Sequence, residues 1–209
     1  MTQFKLTTQT LKTVTDQGNL CAQEYGNWNP MRVVDSDTVC DNAVPAWVND
    51  PKFNPYDITT TCVGNLCYDF GYFKTFFNRP DVKQELGITK DTWELCDNGV
   101  GNALSPDGST DSMLNLTPLI EGGLPILFYT GMLDYICNWR GTEQVLKDFK
   151  WSGQGSWNNI KDYSTGPWGD YKEYQNLKFI KVANSGHMVP HDQGEIALGM
   201  INDFLATNK

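Results

Sequence analysis

Two segments in the last third of the chain follow one plan. Leu124-Pro125-Ile126-Leu127-Phe128-Tyr129-Thr130 is a near-continuous apolar run that ends in Gly131-Met132-Leu133-Asp134, and a helical pattern follows from about Trp139 to Phe149. Leu177-Lys178-Phe179-Ile180-Lys181-Val182 ends in Asn184-Ser185-Gly186-His187, and behind it Ile196, Met200 and Phe204, with Ala197, Ile201 and Leu205, recur at helical spacing. Short apolar runs bounded by turn residues read as strands, and the first is apolar enough for a strand buried on both faces. Strand, turn, polar residue, helix, given twice, defines the class as α/β. In open α/β sheets the chemistry lies outside the carboxyl ends of strands, where Asp134 and His187 both fall.

In the second strand Leu177, Phe179 and Ala183 share a face, while Lys178 and Lys181 break a purely buried reading. Asp192 followed by Glu195 resembles a capping box and predicts the start of the last helix there. Between the two units, Trp151 to Asp170 reads as a Gly, Ser and Trp-rich insertion. Upstream, helices are expected at Gly71 to Phe77, after Arg79-Pro80 with a stop at Gly87, and from Ser112 to Ile120, ended by Gly122-Gly123. Trp93-Glu94-Leu95-Cys96 leads into a Gly, Asn and Asp-rich loop. Residues 1 to 50 carry little periodicity, and Cys21 and Cys40 bracket a polar loop that a disulfide would close. The chain is thus expected to divide into a disulfide-bearing, cap-like excursion over 1–110 and a core portion over 111–209.

A net charge of −9 with no cluster of Lys and Arg disfavours nucleic acid as a partner. No run reaches the length of a membrane span, and the first residues lack a signal-peptide core. Six cysteines, with Cys62 and Cys67 close together, nevertheless match a secretory-pathway chain, so the leader is expected to be missing from these 209 residues. Zinc is a poor reading of that pair, which has no second pair and no His nearby. No metal and no cofactor are expected.

Asp134 precedes His187, each at a strand end. In α/β-hydrolases the chain order is Ser, Asp, His, with the carboxylate fixing the imidazole tautomer and stabilising the imidazolium that forms.

Three motifs carry a more specific resemblance. Asn54-Pro55-Tyr56-Asp57-Ile58 with Cys62 and Asn65-Leu66-Cys67-Tyr68; Leu127-Phe128-Tyr129-Thr130-Gly131 with Asp134-Tyr135-Ile136-Cys137-Asn138-Trp139; and Gly186-His187-Met188-Val189-Pro190 with Asp192-Gln193 together resemble the serine carboxypeptidases. The similarity covers the chain from about residue 20 to its end. It implies an exopeptidase that removes C-terminal residues from a peptide substrate, in a vacuole or lysosome or outside the cell. It also implies that the chain is the C-terminal part of an α/β-hydrolase sheet with a stapled excursion. By position, Asp134 matches the triad acid, His187 the general base, Met188 a residue lining the leaving-group pocket, and Cys137 a free thiol near the acyl-side pocket. Cys62 with Cys67 matches a short-loop disulfide, and Cys21 with Cys40 a second. Met132 and Gly194 depart from the usual pattern, away from the proton relay.

The nucleophile is absent. No Ser stands in a Gly-x-Ser-x-Gly elbow; the nearest approach, Asp162-Tyr163-Ser164-Thr165-Gly166, lacks the first Gly and follows Asp134. Three explanations stay open: a truncated product, the C-terminal chain of a two-chain enzyme, or a short pseudoenzyme acting as an interaction module. An acyltransferase or lyase on the same scaffold is a further alternative. Cys96, left without a partner by the pairings above, points to an upstream half or chain. Without that half, the first strand would present an unpaired edge.

Of the remaining features, Cys137 reads as a structural thiol and His191 as a surface residue at a helix start. Asn115-Leu116-Thr117 is a glycosylation sequon, weakened by Pro118. Trp139, Trp151, Trp157 and Trp168 are expected in core and loop packing.

Overall fold

The structure, a computed structural model, describes residues 12, 16, 52–64, 66–108 and 111–207. The expected Cys21–Cys40 pair lies outside them. The described residues fall in two compact units, one containing residues 52–61 and 111–207, the other residues 12, 16, 62–64 and 66–108.

The first unit is built on a four-stranded sheet. Its strands are β1 (Ile126–Gly131), β2 (Ser164–Gly166), β3 (Gly169–Tyr174) and β4 (Leu177–Val182), in the order β1-β4-β3-β2. β1 runs parallel to β4, with Ile126 opposite Leu177 and Gly131 opposite Val182, whereas β3 pairs antiparallel with both β4 and β2. The sheet is mixed, and helices pack on both of its faces.

The pleat of β4 explains the two-sided packing. Leu177 and Phe179 point to one face, where they join Ile120, Leu146, Phe149, Trp151 and Trp157. Ile180 and Val182 point to the other, against Val189, Ala197 and Met200. One face is therefore covered by helices Met113–Glu121, Trp139–Asp148 and Gln154–Asn159, and the other by Val189–Asp192 and Gly194–Thr207. Asn138 caps the Trp139–Asp148 helix by accepting the Gly141 N–H at 2.9 Å, which fixes where the chain turns from strand into helix.

Four sequence expectations need correction. The strand buried on both faces is β4, not β1: β1 lies at the sheet edge among the described residues, and Tyr129 is exposed. Lys181 does not break that burial, because its ammonium sits 3.5 Å from the Tyr163 ring centroid and 4.6 Å from that of Trp139. Ala183 is exposed and lies beyond the strand. The stretch from Trp151 to Asp170 is part of the core: Trp157 is fully buried, and the stretch holds β2 and the start of β3.

The second unit holds helices Gly71–Phe77 and Pro80–Glu85, as the sequence predicts, and Asn98–Gly108, where it predicts a loop. Cys62 and Cys67 are joined by a disulfide, and Cys96 is a free, exposed thiol. Asn78 ties the unit together by donating to the Trp93 carbonyl and accepting the Trp93 N–H, each at 2.8 Å. Among the described residues, no helix is long and apolar enough to cross a membrane.

Candidate active site

Parallel pairing of β1 with β4 brings the turns after both strands to one end of the sheet. Past the last ladder pair the two chains stay linked: Met132 N–H donates to Val182 O and Leu133 N–H to Ser185 O, both at 2.9 Å. Gly131 permits this closeness, since a Cβ there would overlap the carbonyl oxygens of Ser185 and Gly186. Asn184 makes the reversal with φ of +54°, a left-handed conformation that Asn tolerates better than most residues.

These two turns place Asp134 beside His187. The Asp134 carboxylate is buried, and its Oδ2 lies 2.9 Å from Nδ1 of a half-exposed imidazole. Its other oxygen, Oδ1, accepts the Cys137 main-chain N–H at 3.2 Å, which holds the carboxylate plane in place. A carboxylate at Nδ1 favours the tautomer that carries its proton there, leaving the lone pair on Nε2 to take a proton from a nucleophile.

A third segment completes the support. Asn54 is buried, and its Oδ1 accepts the N–H groups of Tyr56 and Asp57 at 2.9 and 3.1 Å while its Nδ2 donates to Thr60 Oγ1. The Pro55 carbonyl, released by this turn, accepts from Tyr135 N–H and Ile136 N–H. The next carbonyl, that of Tyr56, accepts the His187 N–H at 2.8 Å. Ile58 N–H donates to Leu133 O at 3.0 Å, so residues 54–58 are bound to both strand-end turns.

Asp192 contributes differently from the sequence expectation. It is the last residue of the short Val189–Asp192 helix, not the N-cap of the long one, and its Oδ2 accepts the Gly186 N–H at 2.8 Å. The long helix instead begins at Gly194. His191 is exposed and lies 3.0 Å from Asp192 Oδ1, away from the Asp134–His187 pair.

The other predicted residues divide by position. Met188 follows His187 and is half-buried at the start of the short helix. Cys137 is a free, exposed thiol gathered with Asp134 and His187. Partial burial, and secondarily the Asp134 charge, push its pKa up, so it is held as a thiol and is a weak nucleophile. Cys62 and Cys67 belong to the other unit. Sequence reasoning missed the supporting roles of Asn54, Tyr56 and Asp192; the signal for the first was an Asn-Pro turn, the strongest turn former in that stretch.

An α/β sheet with an acid and an imidazole hydrogen-bonded across adjacent strand ends is the architecture of the α/β-hydrolases. Residues 2–207 match the family profile described as serine carboxypeptidase, and the chain belongs to that family. It is 34% identical over 179 residues to serine carboxypeptidase-like 47 of Arabidopsis thaliana, covering 80% of this chain and 35% of the relative. With carboxypeptidase Y of Candida albicans it shares 35% identity over 161 residues, covering 73% of this chain and 30% of that protein. The fold is similar to the crystal structure of Kex1(delta)p, a prohormone-processing carboxypeptidase from Saccharomyces cerevisiae, with a TM-score of 0.72 and 21% identity over 98% of this chain and 49% of that one. The chain therefore spans about a third of the length of these curated relatives.

Proposed function

We propose that this chain supplies the acid and the base of a serine carboxypeptidase, with Asp134 orienting His187 and His187 Nε2 acting as the general base. The observation that carries the reading is the 2.9 Å contact between Asp134 Oδ2 and His187 Nδ1, made by residues at the ends of two parallel neighbouring strands. The attacking serine, with its oxyanion donors, belongs to a further segment, since no Ser of this sequence stands in an elbow. The edge of β1 that is unpaired among the described residues is where added strands would continue the sheet. An upstream half joined through the exposed Cys96 thiol fits this reading.

In that assembly His187 takes the serine proton during attack on the scissile carbonyl and returns it to the leaving amino acid. The Asp134 carboxylate stays ionised and stabilises the imidazolium. Met188, directly after His187, and Cys137, three residues after Asp134, line the leaving-group and acyl-side pockets. The Cys62–Cys67 disulfide supports an oxidising compartment, such as a vacuole, a lysosome or the cell exterior, and exposed Asn115 is a position a glycan could occupy there.

The test is hydrolysis of a blocked dipeptide. The purified 209-residue chain is expected to show none, and a longer native species carrying a serine elbow is expected to lose roughly 10⁴-fold in kcat on Asp134→Asn. Turnover by the short chain that His187→Ala abolishes, or indifference of the longer species to Asp134→Asn, overturns the reading.

A further inference from the structure

We infer that the cavity beside Lys172 binds a small free α-amino acid, with its carboxylate on the Lys172 ammonium and its amino group toward Asp162. Lys172 is only 3% exposed, yet its ammonium makes no hydrogen bond or ion pair among the described residues. The Trp157 ring, its centroid 4.8 Å away, covers one side and offers no oxygen acceptor. A buried cation without an acceptor is costly, so a carboxylate reaching it gains what the fold leaves unsatisfied. The nearby acids are already engaged. Glu143 accepts from the Tyr163 hydroxyl at 3.1 Å and lies 3.4 Å from Lys147 Nζ, and Glu173 pairs with Lys178 at 2.8 Å. Lys147 and Lys161 add further positive charge around Lys172.

Lys172 lines a cavity of about 400 Å³ along the edge of β3. β2 begins at Ser164, opposite Tyr171, so beyond that pair β3 has no strand on this side among the described residues. Because β3 runs antiparallel to β4 and Tyr174 faces Leu177, the cavity lies at the end of the sheet opposite His187. The rest of its lining narrows the ligand. Asp162, exposed and unpaired among the described residues, repels a multiply charged anion such as phosphate but attracts an ammonium group. Ser164 and Gln175 supply polar partners, and Ile160 and the Tyr174 ring, both partly buried, supply apolar surface for a side chain. Opposite charges set against one apolar wall describe a zwitterion with a small aliphatic side chain.

The site uses neither Asp134 nor His187 and does not rest on the peptidase reading. L-Leucine is titrated calorimetrically into the 209-residue chain, and a 1:1 complex with Kd on the order of 1 mM is expected. Lys172→Met, which keeps the buried volume filled, is expected to weaken binding more than about tenfold. Asp162→Asn, at an exposed position, is expected to weaken leucine about tenfold and to leave 4-methylpentanoate, which lacks the amino group, unchanged. Lys150→Met, another lysine change at an exposed position, is expected to bind leucine like the native chain. Absence of leucine binding, native affinity in Lys172→Met, or 4-methylpentanoate or phosphate binding the native chain as tightly as leucine overturns the proposal. So does loss of binding in His187→Ala with retention in Lys172→Met, which places the ligand at the strand ends instead.

Discussion

Tyr56 holds His187 in two ways: its carbonyl accepts the His187 main-chain N–H at 2.8 Å, and its ring centroid lies 5.3 Å from that of the imidazole. The contact spans 131 residues of sequence. It makes the position of the imidazole depend on a turn that belongs to neither strand.

That turn rests on Asn54. Asn54→Ala removes the acceptor for two main-chain N–H groups in a buried place and is expected to destabilise the chain by about 1–3 kcal/mol. Asn54→Ser keeps a neutral side-chain oxygen that can accept from the turn N–H groups and loses the bond to Thr60, so it is expected to cost less. Urea unfolding of the two variants gives the ranking, and equal losses would remove the turn from this account.

Two glycines set the approach of the three segments. A Cβ at Gly131 would overlap the Ser185 and Gly186 carbonyls, and one at Gly186 would overlap the Tyr56 carbonyl. Backbone cannot yield as a flexible side chain does. Each Gly→Ala change is expected to cost roughly 1–3 kcal/mol or more. Gly155→Ala, within a helix and with nothing near the added atom, is expected to be neutral or to stabilise by up to about 1 kcal/mol. Thermal melts of the three variants check the contrast.

Lys172 predicts a pH dependence. It is buried with its ammonium 4.8 Å from the Trp157 ring centroid, and desolvation pulls its pKa below the usual lysine value of 10.5. Glu143 opposes this shift, while Lys147 and Lys161 add to it. The unfolded chain then binds more protons than the folded one between the lowered folded pKa and the ordinary value, so stability from this group rises with pH across that window. Below it, the buried charge is a standing cost. Lys172→Met is expected to be neutral or stabilising at pH 7 and to flatten that alkaline rise. A marked loss of stability at pH 7 would show that the charge is needed.

The chemistry of this site is legible in the sequence because it sits in side chains at strand ends. Asp134 and His187 each follow an apolar run, and pairing β1 with β4 is enough to bring them together. The scaffold around them is less legible because much of it is backbone. Tyr56 supports His187 through a carbonyl, a group every residue carries. Asp192 has the spacing of a capping box, yet its carboxylate is drawn back to the nearer Gly186 N–H. β2 and β3 escape notice because Ser164-Thr165-Gly166 and Gly169-Asp170-Tyr171-Lys172-Glu173-Tyr174 are polar, and only Lys172 of them is buried. Their contribution to the core comes from Tyr174 on one face and Tyr171 on the other, both only partly buried. The Asn98–Gly108 helix is rich in Gly and Asn, whose intrinsic preference is for turns.

The order β1-β4-β3-β2 also fixes when the pair can exist. β3 and β4 are joined by Gln175 and Asn176 alone, with Gln175 at φ of +52°, so their ladder closes locally. β1 must find β4 across the whole intervening stretch, and such non-local pairings pay their loop entropy before any contact rewards them. The hairpin is expected early and the β1–β4 ladder late. Asp134 and His187 therefore meet only as the chain finishes folding, and a molecule halted before that holds a formed hairpin with an imidazole that has nothing to lean on.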